Sequence, residues 1–124
     1  MNRSRQTAVA VAAMRIAYGA ALAIAPGRTT EKWLGKDSGR PTTGIALRAL
    51  GAREIVLHGG AIAAAVGNAP VKPWLVASIG GDCSDVAATF AASRHVPDGA
   101  PLKTLAVAGG SAALSAAVVA LLDS

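Results

Sequence analysis

Gly80-Gly81-Asp82-Cys83-Ser84-Asp85 lies in the middle of an apolar run from Trp74 to Ser93. Asp82 and Asp85 are three apart, so on a helix they share one face. A lone carboxylate buried in hydrocarbon costs several kcal/mol or more. Something must therefore face these two acids. The chain offers Arg15 and Arg53, each inside another apolar run. That pattern predicts helices crossing a membrane around a buried ionic cluster.

Composition agrees. Of 124 residues, 52% are hydrophobic and only 15% are charged, against about 25% charged in soluble domains. Mean hydropathy is +0.45. Alanine is the commonest hydrophobic residue, and aromatics are 3%. Helices this rich in small residues pack backbone against backbone in lipid. The net charge is +5, but the cations sit in short loops or inside apolar runs. They do not form the aromatic-interleaved basic face that a nucleic-acid binder needs. Anionic lipid headgroups are the expected counter-charge and no nucleic acid is expected. The single cysteine, Cys83, excludes an intrachain disulfide and reads as a small apolar filler.

Taken in order, the chain is expected to be all-α, a single antiparallel bundle of four transmembrane helices. The spans are about 7–25, 44–66, 74–93 and 103–122. Residues 7–25 at about 1.5 Å each give roughly 28 Å, close to the hydrocarbon thickness. Ala23-Ile24-Ala25 resembles a signal-peptide cleavage site. Arg15 interrupts that core, however, and Pro26 would block processing, so the span is expected to be retained. Pro26-Gly27 is expected to end it. Thr29–Gly35 then reads as a short interfacial helix with a threonine cap, a terminal glycine and Trp33 at the headgroups. Trp74 is placed at the opposite interface. Thr104–Leu122 carries no charge at all.

Depth along antiparallel neighbours pairs Arg15 with Asp82 and Arg53 with Asp85. Glu54 is left as a surplus acid, with Arg48 or His58 available to it. Small residues at Gly60/Ala64, Gly81/Asp85 and Ala112/Ala116/Ala120 permit close helix contact. They serve packing within the bundle first, with a homodimer or a larger membrane complex as the other use.

Three functions suit such a cluster. The first is an ion-pair network that fixes helix packing. The second is a membrane-embedded acid–base enzyme of isomerase, cyclase or epoxide-opening type, acting on a hydrophobic, lipid-like small molecule. Glu54 would then be the acid, Asp82 or Asp85 the base and Arg53 the orienting group. Arg15, Tyr18 and His58 would contact substrate. The third is proton-coupled transport or an accessory role in a membrane complex. In size the chain resembles the small multidrug exporters, but their first-helix glutamate is replaced here by Arg15.

No cofactor and no metal are expected. Asp82-x-x-Asp85 is short, and the residues that follow it, Val86-Ala87-Ala88, depart from the CDP-alcohol phosphotransferase signature. Phosphate-loop, dinucleotide and nucleophile-elbow motifs are missing from the sequence.

Several short motifs, Arg15 with Tyr18-Gly19, Ala25-Pro26, Trp33-Leu34-Gly35, Leu50-Gly51-Ala52-Arg53-Glu54 and Gly81-Asp82 with Asp85, carry a resemblance. The chain resembles small four-helix integral membrane proteins of unknown function from high-GC, actinobacteria-like bacteria. The resemblance covers nearly the whole chain and implies the fold, not a mechanism. It also implies aspartate where this chain has Glu54.

The charge distribution predicts the plasma (inner) membrane and an orientation. Six cations (Arg28, Lys32, Lys36, Arg40, Arg94 and Lys103) lie in the loops on one side, and three (Arg3, Arg5 and Lys72) on the other. The positive-inside rule puts the richer side in the cytoplasm and the termini outside.

Overall fold

The computed structural model describes residues 1–124 and contains helices and no strands. Helix α1 spans Arg3–Ile24, α2 Pro26–Leu34, α3 Pro41–Val66 and α4 Lys72–Ala91. The last, α5, runs continuously over Ala100–Asp123, with a π-helical segment at Leu105–Gly109. Three of these are long and apolar enough to cross a membrane: α1, α3 and α5. Helix α4 is not among them, although it is 20 residues long. Its two aspartates and its N-terminal Lys72-Pro73 lower its apolar character.

Two sequence-based boundaries are corrected. Pro26 does not merely end α1; it starts α2 one residue later, because proline fits the first turn of a helix, where no N–H partner is needed. The threonines therefore lie inside α2 rather than capping it. Thr29 Oγ1 donates to the carbonyls of Ala21 and Ala25, and Thr30 Oγ1 to that of Pro26. Helix α2 does end at Gly35 as expected, with φ +60°. Helix α3 begins at Pro41, three residues earlier than the apolar pattern suggests.

Side-chain contacts fix the topology. Arg5 reaches the C-terminal end of α3, Arg15 meets Glu54, and Arg48 donates to the carbonyl of Ala23. Helices α1 and α3 are thus antiparallel neighbours. His58 with Ser78 and Arg53 with Asp85 make α3 and α4 antiparallel. The Lys72–Asp123 ion pair and the Ser4–Leu121 hydrogen bond do the same for α4/α5 and α1/α5. The four long helices form a ring in which α1 faces α4 across one diagonal and α3 faces α5 across the other.

Glycine decides the tightest crossing. A Cβ at Gly51 would sit 2.4 Å from the carbonyl oxygen of Gly19, and one at Gly19 would sit 2.7 Å from that of Gly51. Helices α1 and α3 therefore meet backbone to backbone, as small residues allow in lipid.

The bundle has two unlike halves. Toward the chain termini, Ala8, Ala12, Ala61, Ala64, Ala65, Val71, Leu75 and Val118 form a closed apolar core. Arg5 seals the end of that half. Its guanidinium donates to the carbonyls of Ala64 and Ala65 in the last turn of α3 and of Ala69 in the loop that follows. Toward α2, α1 and α3 stay in contact at Gly19 and Gly51, and a hollow opens between them and α2, α4 and α5.

Candidate functional site

An ionic layer separates the two halves. Arg15, on α1, reaches across the bundle's diagonal and makes four hydrogen bonds. Nε and Nη2 donate to the two carboxylate oxygens of Glu54 on α3, at 2.7 and 2.8 Å. Nη2 and Nη1 donate to those of Asp82 on α4, at 2.7 and 3.1 Å. One planar guanidinium thus grips two carboxylates side by side, a geometry lysine cannot supply. All three side chains are buried, at 6%, 3% and 4% exposure.

A second pair lies nearer the edge. Arg53 binds Asp85 through Nη2 at 2.6 Å and Nη1 at 3.2 Å, and both side chains are about one-third exposed, at 34% and 30%. Its guanidinium lies against Gly81, where a Cβ would come within 3.2 Å of Cζ. Gly81 is therefore the seat that lets Arg53 cross α4 to reach Asp85. Nη2 of Arg53 also stands 3.9 Å from Glu54, which links the two pairs.

His58 completes the layer. Nδ1 is 2.9 Å from the backbone oxygen of Glu54 and Nε2 is 3.0 Å from Ser78 Oγ. A carbonyl oxygen only accepts, so Nδ1 carries hydrogen and donates to it. In the neutral ring Nε2 then accepts from the Ser78 hydroxyl. The ring also stands 3.5 Å from the Glu54 carboxylate.

Both ion pairs expected from depth matching, Arg15–Asp82 and Arg53–Asp85, are present. The reading of Glu54 as a surplus acid is corrected: Arg15 holds it as tightly as it holds Asp82. Depth alone gave each arginine one partner, whereas a guanidinium has five N–H donors and can serve two. Arg48 is not the counter-ion of Glu54 either; it covers the C-terminal end of α1 instead. The nearest acid with appreciable exposure is Asp85.

On the hollow side, the layer forms the floor of a cavity of about 500 Å³, walled by residues of all five helices. Met14, Tyr18, Leu50, Val107 and Ala108 line its sides, and Arg15, Glu54, Asp82 and Asp85 its floor. Tyr18 makes no hydrogen bond to the cluster; it presents its ring to the cavity. At the α2 end, Trp33 Nε1–H donates to Thr104 Oγ1 at 2.9 Å, tying α2 to α5. Lys103 Nζ donates to the carbonyl of Lys32 at 2.6 Å, and both lysines line the mouth.

Several contributors were not singled out from sequence: Ser78, Ser111, Lys32, Lys103 and the π-helical segment on the cavity wall. Ser78 could have been found, because it lies four residues before Asp82 on the same helical face. The others become neighbours only when α2 folds back over α5. Cys83 is exposed on the outer surface of α4, so it fills no interior space. Of the small-residue stripes, Gly60 is covered by the ring of Trp74 and Gly81 by Arg53, both within the chain. Ala116 and Ala120 face outward.

Comparison of the chain with protein-family models, with curated proteins and with solved structures returns no match.

Proposed function

We propose that this chain is a four-span protein of the plasma membrane that binds one hydrophobic, lipid-like small molecule in the hollow half of its bundle. Helix α4 is the remaining span. It inserts together with its neighbours because Arg15 and Arg53 neutralise its two aspartates. The loops on the α2 side, richer in lysine and arginine, lie in the cytoplasm. The ionic layer holds the floor of the site in place and ties three helices together.

The observation that carries this reading is the cavity. At about 500 Å³ it falls within the roughly 300–1,000 Å³ of small-molecule sites, and it pairs apolar walls with a few convergent polar groups. A bundle needing its ion pairs only for packing has no reason to stay hollow beside them, since close-packed interiors are the norm.

The test uses the two tryptophans. Trp33 lines the cavity, and Trp74 lies at the other end of the bundle. Full-length protein in detergent, as Trp33-only and Trp74-only variants, is titrated with a brominated decyl alcohol. Saturable quenching with one-to-one stoichiometry is expected for Trp33 and not for Trp74. Ala108→Phe, which fills the cavity, should abolish the saturable part. Equal, non-saturable quenching of both tryptophans refutes the reading.

A second reading, acid–base chemistry on the bound molecule, is favoured by one observation. Three carboxylates face two guanidiniums, so the layer keeps one negative charge unless His58 or a carboxyl group holds a proton. A proton held there borders the cavity, where it could be lent to a bound alkene or carbonyl and taken back, as an isomerisation requires. Turnover of such a substrate that is lost in Glu54→Gln, with binding retained, would establish it.

A further inference from the structure

The charges around the cavity are not evenly satisfied. Arg15 matches Glu54 and Asp82, and Arg53 matches Asp85. The cavity's two other charged residues, Lys32 and Lys103, have no carboxylate partner. Both stand at the mouth, and their only shared contact is the bond from Lys103 Nζ to the Lys32 carbonyl. That bond uses one of three donors on the ammonium group and fixes its position, so two donors stay free to face a ligand. Every carboxylate of the floor is held by a guanidinium, whereas the mouth is cationic and open.

Depth adds a length. Lys103 at the mouth and Ser111 at the floor are eight residues apart on α5. At no more than about 1.5 Å per residue, since the π-helical turn rises less than an α-helix, the cavity is at most roughly 12 Å deep. Between them the walls are Met14, Leu50, Val107 and Ala108. Such a shape takes one chain of medium length and is too small for both chains of a diacyl lipid.

We propose that the ligand is a single-chain anionic amphiphile, its phosphate or carboxylate head between Lys32 and Lys103 and its hydrocarbon chain directed toward the ionic layer. This rests on the cavity being a binding site, as argued above. The mouth lies at the cation-rich end of the bundle, at the level of lipid headgroups, so the amphiphile can enter from the adjacent leaflet without leaving the interface. The π-helical turn places Val107 and Ala108 on the wall beside the chain; such turns occur frequently at functional sites.

The test compares heads on one chain. Full-length protein in a neutral detergent is titrated by calorimetry with decyl phosphate, decanoate, decanol, decyltrimethylammonium and inorganic phosphate. The two anionic amphiphiles should bind about tenfold more tightly than decanol, the sum of two partly exposed charge pairs, and the advantage should shrink with added salt. Lys32→Gln/Lys103→Gln should bring decyl phosphate down to the decanol level, while Lys32→Arg/Lys103→Arg retains the preference. Equal binding of decyl phosphate and decanol, both blocked by Ala108→Phe, overturns the anionic head and leaves the cavity standing. Failure of every chain to bind overturns both readings. Inorganic phosphate binding as tightly as decyl phosphate would make this a free-anion site and would also overturn the proposal.

Discussion

Replacing Arg15 by methionine isolates what the ionic layer contributes. The side chain is 6% exposed and makes four charge-assisted hydrogen bonds, two to Glu54 and two to Asp82. Methionine fills much of the same volume and removes all four. The two carboxylates, 3% and 4% exposed, then lie buried without that cation. Removing one partner of a buried pair costs about 3–5 kcal/mol, mostly through the charge left behind. Here the two carboxylates lose one shared cation, and Glu54 keeps Arg53 and His58 beside it, so the expected cost stays within about 3–5 kcal/mol rather than doubling. The measurement is equilibrium unfolding in mixed micelles, titrated with sodium dodecyl sulfate and followed by circular dichroism. The diagnostic partner is the neutral triple variant Arg15→Met/Glu54→Gln/Asp82→Asn. It removes the orphaned charges along with the cation and should recover at least half of the loss. Arg15→Lys should fall between wild type and methionine, because an ammonium cannot face two carboxylates bidentately. A cost below about 1 kcal/mol for Arg15→Met, or a triple variant as unstable as the single one, would show that the layer does not hold the bundle in this way.

Other predictions follow from local geometry. Gly51→Ala forces α1 and α3 apart and should cost about 1–3 kcal/mol in the same assay; Gly80→Ala, which meets nothing within 4 Å, should be neutral or slightly stabilising. Arg5→Gln uncovers the carbonyls at the end of α3 and should cost about 1–2 kcal/mol, seen as faster amide hydrogen exchange confined to that end. Lys72→Ala breaks an ion pair whose partners are both half exposed, so its effect should stay under about 1 kcal/mol. Reporter fusions at the C-terminus should be active on the extracytoplasmic side; cytoplasmic activity would invert the orientation inferred from the loop cations.

Much of the site was legible before any coordinates. Asp82 and Asp85 inside an apolar run had to be answered by cations, and the chain holds few arginines at matching depth. Solvation energy imposes that demand, and solvation depends only on which residues share an apolar stretch. The antiparallel order followed from short loops, and depth from the constant rise of a helix. What depth could not show was sharing. Arg15 lies within about two residues' rise of either acid's level, and only the ring of four helices places Glu54 and Asp82 on two sides of one guanidinium.

The sequence by itself determined the class of the protein: apolar helices, short turns, a cationic side and a buried ionic layer. These properties are local, set by side-chain transfer energies and helical period. The tertiary structure alone decided that one half of the bundle closes and the other stays open. Alanines meeting alanines leave no gap near the termini, whereas α2, starting directly at Pro26, folds back and is tied to α5 by Trp33 and Thr104. That hollow, with two unmatched lysines at its rim, arises from how helices far apart in the chain lean on one another, and no period or composition encodes a distance between them.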